Sequence, residues 1–432
     1  MKKLSYSLLT VIAILFMAVG CSKNGGDDDA SSLLRTVPAD ASSVVLVNIA
    51  HTVESLGGST DGSVVKLSKE LQKTIDESQA VKPEDKQHLK EICNGETGIS
   101  MSSVAFFSAA RSYVTGLLND PDKFVAYMEK ETGLTSTTEG DAKTIGNIAV
   151  LGNQFWVCTT GRPDTEQLKY YRQLNEKQSY MSADAASLLL QPDKAMTYVA
   201  DVNRSMALLP NGTYMKIASS LIFNDMSYVA GNADIKKKSF MANASVLNSD
   251  MKPAELLLPV EKIDASVVKS FDKGGDIYFA AGVPKKLTKK LTDLAGSFMG
   301  GKSNPFASVL EAIDGTVAVR ANSGASDAEA RIQTTGQNFT DLSNMLQSLF
   351  GVTVTRDGDT LTAVLGSKDF TGNITPSQAA DLLKGAWIGM VSNGFIARDV
   401  TTVTKLSVDK KSLRLDFEAD GGVDALITAI TR

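Results

Sequence analysis

The sequence is poor in the residue types that most often build reactive or crosslinked sites. Its 432 residues contain only 2 histidines, 3 cysteines and 2 tryptophans. So few histidines exclude a histidine-rich metal centre, and 3 cysteines cannot form a dense disulfide framework. Basic residues are not in excess either, since 44 Lys and Arg face 49 Asp and Glu. The net charge of −5 argues against nucleic acid as the main partner, because phosphate binding needs a basic surface.

Long apolar runs are missing after the first twenty residues. Two lysines near the start precede the apolar run Leu8–Val19, which is too short to span a bilayer and is typical of a signal peptide. The run ends in Ala18-Val19-Gly20, directly before Cys21. We therefore predict a signal peptide over residues 1–20. An ordinary secretory peptide followed by an incidental cysteine is the alternative.

The four residues Ala18-Val19-Gly20-Cys21 resemble a bacterial lipobox, the signal at which a peptidase cleaves before an acylated cysteine. Lipoboxes usually carry Leu three residues before the cysteine, where this chain has Ala18. The resemblance implies a lipoprotein in which Cys21 is the site of lipid attachment. Several acyl chains, palmitate among them, on one residue give stable anchoring where a single chain would not. The expected membrane contact is this N-terminal lipid anchor.

Residues 21–32 are polar, contain glycine and show no periodicity, so we predict a flexible acidic tether. Within it, Asp27, Asp28 and Asp29 could simply add solubilising charge. They also resemble the acidic surface-export signal that Bacteroidota-type lipoproteins carry just after the acylated cysteine. That resemblance implies an outer-membrane location facing the cell exterior, with a periplasm-facing orientation as the alternative.

β-Branched runs and helical apolar spacings alternate along the mature chain, and their order in residues 33–255 recurs in residues 256–432. Hairpin-type turns at Gly152-Asn153 and Asp357-Gly358 favour antiparallel pairing. We therefore predict an α+β fold with two similar halves, each a mostly antiparallel sheet covered by helices. The N-terminal domain would cover residues 33–255 and the C-terminal domain 256–432, related by internal duplication. Single residues also recur at an offset of 218: Phe124, Tyr127, Met128, Gly133, Leu134 and Thr135 match Leu342, Met345, Leu346, Gly351, Val352 and Thr353.

The lipobox, the acidic tether and the two α+β halves together resemble a family of Bacteroidota-type lipoproteins built on a domain of unknown function. The likeness lies in the strand after Pro38-Ala39-Asp40, in the segment from Gly98-Ile99 to Phe106-Phe107, and in Asp120-Pro121-Asp122-Lys123-Phe124. It spans nearly the whole mature chain. The family has no assigned chemistry, so the resemblance implies no activity.

One motif points to phosphate chemistry, and two patches are basic. Gly296–Ser303 matches the G-x-x-x-x-G-K-[ST] pattern, which cradles phosphate when it follows a strand and opens a helix. Here the preceding residues have a helical period and Pro305 follows closely, so we expect a glycine-rich loop between helices. Lys236–Lys238 and the face formed by Lys285, Lys286, Lys289 and Lys290 are expected to be solvated. Contact with an anionic glycan or lipid surface is the alternative.

The remaining reactive side chains form no recognisable site. His51 and His88 have no partner at metal-ligand spacing, and a Ser-His-Asp triad would have to use one of them. We predict no metal site, no cofactor and no catalytic residue. Trp156 and Trp387 lie in predicted strands and are expected in the core. Cys93 and Cys158 are expected as thiols, although export would permit a disulfide.

These expectations favour a non-catalytic binding or scaffolding module at the cell surface, with a glycan, a host protein or another envelope component as its ligand. One alternative is a carboxylate-based, glycosidase-like hydrolase with a site between the halves, because 49 acidic residues are present. The other is a purely structural envelope protein.

Overall fold

The structure is a computed structural model that describes residues 26–77, 82–207, 209–236, 239–298, 310–323, 327–335, 339–367, 370–394 and 400–420. The described residues divide into two compact units. The N-terminal unit contains those through Ile217 together with Met226–Lys252, and the C-terminal unit contains Ala218–Asp225 and Pro253–Asp420.

Helices and strands alternate along the chain. The helices are α1 (Gly26–Leu34), α2 (Ile49–Ser55), α3 (Lys69–Glu77), α4 (Pro83–Cys93), α5 (Pro121–Thr132), α6 (Thr165–Arg172), α7 (Ala186–Leu189), α8 (Val202–Ala207), α9 (Gly212–Ile222), α10 (Ala265–Lys269), α11 (Lys285–Phe298), α12 (Phe339–Phe350) and α13 (Pro376–Leu383), with 3₁₀ turns at Glu176–Gln178 and Tyr180–Ser182.

The strands are numbered in the same way. They are β1 (Ser43–Asn48), β2 (Ser59–Thr60), β3 (Val65–Lys66), β4 (Ile99–Ser108), β5 (Ser112–Leu118), β6 (Thr137–Glu139), β7 (Ala142–Ile145), β8 (Ile148–Leu151), β9 (Gln154–Cys158), β10 (Met196–Asp201), β11 (Phe223–Asn224), β12 (Tyr228–Lys236), β13 (Ser239–Leu247), β14 (Glu255–Leu256), β15 (Ile277–Val283), β16 (Ile313–Ala321), β17 (Ala328–Thr334), β18 (Thr353–Asp357), β19 (Thr360–Leu365), β20 (Ile388–Asn393), β21 (Thr401–Asp409) and β22 (Ser412–Asp420).

The sheet of the N-terminal unit runs β6–β7–β8–β9–β5–β4–β1–β10–β12–β13, and every neighbouring pair is antiparallel. Its two faces carry separate apolar cores, because successive strand residues point to opposite sides. Val104 packs with residues of α2–α5 on one face. Phe107 packs with residues of α1, α6 and α7 on the other. Helices therefore cover both faces of this sheet.

The sheet of the C-terminal unit runs β18–β19–β17–β16–β15–β20–β21–β22–β14–β11, again with antiparallel pairs. Tyr278 and Val391 pack against residues of α10 and α13. Ile332 and Leu361 pack against Leu342 of α12. This unit is also a sheet with helices on its apolar faces.

Eight strands occur in the same spatial and chain order in both units. The order β8–β9–β5–β4–β1–β10–β12–β13 of the first corresponds to β18–β19–β17–β16–β15–β20–β21–β22 of the second. An irregularity of register falls at the same place, between Ile99 and Val104 in β4 and between Ile313 and Val317 in β16. The predicted α+β fold with two similar, mostly antiparallel halves is confirmed, and both predicted hairpins form.

The prediction of a flexible tether over residues 21–32 is wrong for residues 26–32, which belong to α1. Ala30, Leu33 and Leu34 are buried in the core of the N-terminal unit, and their i, i+3, i+4 spacing explains why a helix forms there. Residues 21–25 lie outside the described residues. The folded N-terminal unit therefore begins before residue 33.

The predicted division after residue 255 also differs from the observed one. Residues Ala218–Asp225 and Pro253–Glu255 belong to the C-terminal unit. The physical reason is a pair of short strands, since Phe223 and Asn224 of β11 bond to Leu256 and Glu255 of β14. A sequence pattern of two residues is too short to predict such a pairing.

Candidate functional site

The acylation site predicted at Cys21 lies outside the described residues, but the acidic residues after it do not. Asp27, Asp28 and Asp29 belong to the first turn of α1. Five residue steps separate Cys21 from Gly26, so this link reaches at most about 17 Å when fully extended. A lipid on Cys21 would therefore hold α1 close to a bilayer surface.

None of the helices in the described ranges combines the length and the apolar character needed to cross a bilayer.

His51 lies in the first turn of α2, close to a serine and a carboxylate. Asn48 caps this helix by accepting a hydrogen bond from the His51 backbone N–H at 2.8 Å. His51 Nε2 lies 3.2 Å from Asp234 Oδ1 and 3.3 Å from Ser55 Oγ.

This grouping of Ser55, His51 and Asp234 is not a catalytic triad. A triad needs the serine on one ring nitrogen and the carboxylate on the other, whereas here both approach Nε2. Burial opposes ionisation of Asp234, but the hydrogen bond from His51 lowers the pKa of this carboxyl. The contact is a hydrogen bond that ties α2 to β12.

A small pocket lies at Asn48, the residue that caps α2, and Ser103, Gln191 and Lys194 are among its other lining residues. It has room for about one water molecule. Ser103 Oγ is buried and has no hydrogen-bond partner among the described residues, so one water would satisfy it. The pocket is too small to hold a substrate.

The second histidine, His88, lies on α4 and meets two carboxylates. His88 Nε2 is 2.7 Å from Glu131 Oε2 of α5. Glu91 follows His88 by three residues on the same helix, and donor atoms of all three side chains lie within 4.8 Å of one another. The spacing of residues along the sequence gives His88 no ligand partner, whereas the fold places two carboxylates beside it. Its donors are of the kind that hold a divalent metal ion.

Glu91 is the most buried member of this cluster, with 9% of its surface exposed. Burial opposes its ionisation, yet hydrogen bonds from Gln87 and Tyr127 and the charge of Lys130 lower its pKa. Gln87 Nε2 donates to Glu91 Oε1 at 3.1 Å. Glu91 Oε2 is buried and accepts no hydrogen bond from the described residues. The carboxylate is thus ionised with one oxygen unused.

The phosphate-loop motif does not have the required geometry. Gly296, Ser297 and Phe298 are the last residues of α11, and residues 299–303 lie outside the described residues. A phosphate loop needs a strand before it, and this segment follows a helix instead.

The basic patches engage in ordinary surface contacts where they are described. Lys289 Nζ lies 3.6 Å from Asp293 of the same helix, and Lys290 Nζ donates to the Leu257 carbonyl at 2.6 Å. Lys236 ends β12, while Lys237 and Lys238 lie outside the described residues. These contacts identify no anion site.

The two cysteines and Trp156 lie in the core, whereas Trp387 is only half-buried. Cys93 and Cys158 are buried free thiols in cores on opposite faces of the N-terminal sheet, so they do not form a disulfide. Burial raises the pKa of Cys93 to about 12, which leaves it unreactive. Trp156 is fully buried in β9. Trp387 directly precedes β20, and its Nε1 donates to the Gly282 carbonyl at 3.0 Å.

One helix end exposes two adjacent large apolar side chains. Leu349 and Phe350, the last residues of α12, are each 60% exposed. The equivalent helix α5 of the other unit ends in Glu131 and Thr132, which are polar. Nothing in the repeated fold requires apolar residues at this helix end. We call Leu349 and Phe350 the apolar helix end.

Comparison with known proteins gives no family assignment. No family model matches the chain, and no curated protein matches it. Two crystal forms of a protein named TP0453 align over 81% of this chain and 94% or 96% of that chain, at 9% and 8% identity, with TM-scores of 0.27 and 0.28. The DNA polymerase III β subunit of Thermotoga maritima aligns over 90% of this chain and 95% of its own at 9% identity, with a TM-score of 0.11. Similarities this weak carry no information about function.

Proposed function

We propose that this chain is a lipoprotein anchored through Cys21 in a bacterial outer membrane and displayed on its outer side, where it acts as a non-catalytic binding or scaffolding module. The same proposal includes membership of the Bacteroidota-type lipoprotein family that the sequence resembles, and an origin of the two units by internal duplication. The shared order of eight strands supports the duplication.

The single observation that carries the binding role is the apolar helix end. Leu349 and Phe350 are adjacent, large and each 60% exposed. Exposing apolar area to water costs about 25 cal/mol per Å² relative to burying it, so such a pair is suited to contact with a partner. The repeated fold does not need it, because the equivalent helix ends in polar residues.

The composition of this helix end favours a protein ligand, from the envelope or from a host, over a glycan. Sugar rings are usually bound on aromatic platforms, and Leu349 offers no ring. Both tryptophans are engaged elsewhere, since Trp156 is fully buried and the indole of Trp387 donates to Gly282. A glycan ligand is the alternative result of the binding test.

The hydrolase alternative has no specific observation in its favour. A glycosidase needs a carboxylic acid with a raised pKa to protonate the leaving oxygen. Glu91, Asp234 and Asp272 all have lowered pKa values, because each accepts hydrogen bonds or lies beside a cation. A purely structural envelope role is distinguished from binding by the experiment below.

The binding role is tested by probing protein and glycan arrays with the chain and with a variant carrying Leu349→Ser and Phe350→Ser. Leu134→Ser is the matched control, because Leu134 is 40% exposed and follows the equivalent helix of the other unit. We expect the double variant to lose captured partners while the control retains them. Equal capture by all three proteins would overturn the role of the apolar helix end, and no capture by any would favour a structural role.

The anchor and the display are tested separately in cells. Cys21→Ser should release the chain from the membrane fraction, and unchanged membrane association would refute the lipid anchor. Replacing Asp27, Asp28 and Asp29 by Asn should protect the chain from protease added to intact cells. If the unmodified chain is already protected, it faces the periplasm.

A further inference from the structure

We propose that His88, Glu91 and Glu131 form a binding site for one divalent transition-metal ion, held between α4 and α5 of the N-terminal unit. The site offers one imidazole nitrogen and two carboxylates, and it is independent of both the lipid anchor and the apolar helix end.

The local helical geometry explains how these side chains meet. His88 and Glu91 are three residues apart on α4, so they share one face of that helix. Glu131 is contributed by the last turn of α5, and its Oε2 lies 2.7 Å from His88 Nε2. Each side chain is held by a helix, which places the three donors with little conformational freedom.

The spacing of the donors is close to what one ion requires. Zinc binds imidazole nitrogen and carboxylate oxygen at about 2.0–2.2 Å, so two ligands of a tetrahedral ion lie about 3.4 Å apart. The three donor atoms lie within 4.8 Å of one another, with the His88–Glu131 pair at 2.7 Å. Rotamer adjustments of about 1 Å would bring all of them to ligand distance.

A second observation, independent of the spacing, points to a missing ligand. Only 9% of the Glu91 residue and 11% of its side chain are exposed, and its Oε2 accepts no hydrogen bond from the described residues. An ionised oxygen that is buried without a hydrogen-bond partner destabilises the folded state. A cation bound beside it removes that destabilisation.

Lys130 is the competing cation. Its Nζ lies 3.7 Å from Glu91 Oε1 and 3.6 Å from Glu131 Oε1, but its side chain is 68% exposed. Such contacts are weak and screened, so the ammonium can move into solvent when a metal ion enters. The imidazole ligand favours transition metals such as zinc over magnesium or calcium, which prefer oxygen ligands alone.

Titration of Zn²⁺ into the purified full chain, followed by calorimetry, tests this site. We expect one ion per chain, at least about tenfold weaker binding in Glu91→Gln and in His88→Gln, and no comparable binding of Mg²⁺. Lys130→Ala should bind Zn²⁺ more tightly than the unmodified chain, a result that a merely structural cluster would not give.

The chain supplies a matched control in its other histidine. His51→Gln removes the His51–Asp234 pair, which also joins an imidazole to a carboxylate but has no third ligand among the described residues. This variant should leave Zn²⁺ affinity within about twofold. Thermal unfolding without metal identifies any variant that fails to fold. The proposal is overturned if the chain takes up no stoichiometric Zn²⁺, or if His51→Gln weakens binding as much as His88→Gln.

Discussion

The two units have the same strand order, but they differ at one equivalent cross-strand pair, which is aromatic in one unit and charged in the other. In the N-terminal unit Phe107 of β4 pairs directly with Tyr113 of β5. In the C-terminal unit Arg320 of β16 pairs directly with Glu329 of β17. An aromatic pair in one sheet is thus an ion pair in the other, at the same point between equivalent strands.

The aromatic pair of the N-terminal unit belongs to a cluster of four rings. Phe107, Tyr113, Trp156 and Tyr171 lie with all ring centroids 5.6–6.3 Å apart, mostly edge to face. Such pairs stabilise by about 0.5–1.5 kcal/mol each beyond the area they bury. Burial raises the pKa of Tyr113 to about 12, as expected for a phenol in an apolar core.

In the C-terminal unit the equivalent position holds a buried arginine. Arg320 is 1% exposed and its guanidinium lies 5.0 Å from the Phe271 ring and 4.0 Å from the Phe370 ring. It donates to Glu329, which is 4% exposed, and to Asp272 at the surface. Desolvation offsets most of the Coulomb attraction in such a pair. Strand order and apolar burial therefore define this module, while the identity of this cross-strand pair does not.

Breaking the charged pair from one side should have the largest effect. Glu329→Ala leaves Arg320 buried without its buried partner, and we expect a loss of about 3–5 kcal/mol in the free energy of unfolding. Urea unfolding followed by fluorescence measures it, because Trp387 reports on the C-terminal unit and Trp156 on the N-terminal unit. Only the Trp387 transition should shift.

Placing the aromatic pair of the N-terminal unit at the equivalent positions of the C-terminal unit provides the control for that experiment. Arg320→Phe combined with Glu329→Tyr removes both charges and installs the pair found in the other unit. We expect the double variant to be more stable than Glu329→Ala alone, since no unpaired charge is left. If Glu329→Ala lowers the free energy of unfolding by less than about 1 kcal/mol, Asp272 alone is a sufficient partner for Arg320, and the buried pair is not what distinguishes the C-terminal unit.

Weakening the aromatic cluster should reduce the free energy of unfolding less than Glu329→Ala does, because it leaves no unpaired charge in an apolar core. Phe107→Leu keeps the apolar volume nearly filled but removes three ring contacts, for an expected loss of about 2 kcal/mol. Phe106→Leu is the control, since its side chain points to the opposite face and is only partly buried. Equal losses for the two variants would mean that ring geometry contributes nothing.

Sequence patterns predicted the features that depend on neighbouring residues. The hairpins at Gly152 and Gly358 form because both glycines have positive φ, of 57° and 56°, which tight turns between antiparallel strands require. The periodicity of apolar residues predicted both sheets. Helix α1 was missed because polar residues dominate its composition, although Ala30, Leu33 and Leu34 carried the helical spacing.

The site features that were not predictable depend on residues far apart in the chain. His88 and Glu131 are 43 residues apart on different helices, so only tertiary packing brings them together. Arg320 and Glu329 look like solvent-facing charges in two strands, and their burial follows from the register of β16 and β17. Local patterns do not specify such pairings.

The glycines that end the equivalent helices α5 and α12 should respond equally to substitution in the two units. Gly133 and Gly351 end the equivalent helices α5 and α12 with φ of 65° and 64°, and a methyl group would meet no atom within 4 Å at either position. Alanine at each site should therefore cost only the backbone strain, about 1 kcal/mol. Urea unfolding should report similar losses for Gly133→Ala and Gly351→Ala. A loss in only one unit would show that the two helix ends are not equivalent.

Removing the exposed carboxylate that contacts Arg320, that of Asp272, should have the smallest effect on the free energy of unfolding, and this effect should depend on pH. The hydrogen bond from Arg320 lowers the pKa of Asp272, so the folded state keeps this carboxylate ionised to a lower pH than the unfolded state does. The stabilisation is complete above the unfolded pKa of about 3.9 and is lost as the pH falls through the folded pKa. Because the Asp272 side chain is 69% exposed, screening reduces its contribution to roughly 0.5 kcal/mol. Asp272→Asn should therefore be slightly less stable than the unmodified chain at pH 7 and at pH 5, and the two urea midpoints should converge below about pH 4. A difference that stays constant to lower pH would mean that Asp272 acts through its hydrogen bond alone and not through the ionisation of its carboxyl group.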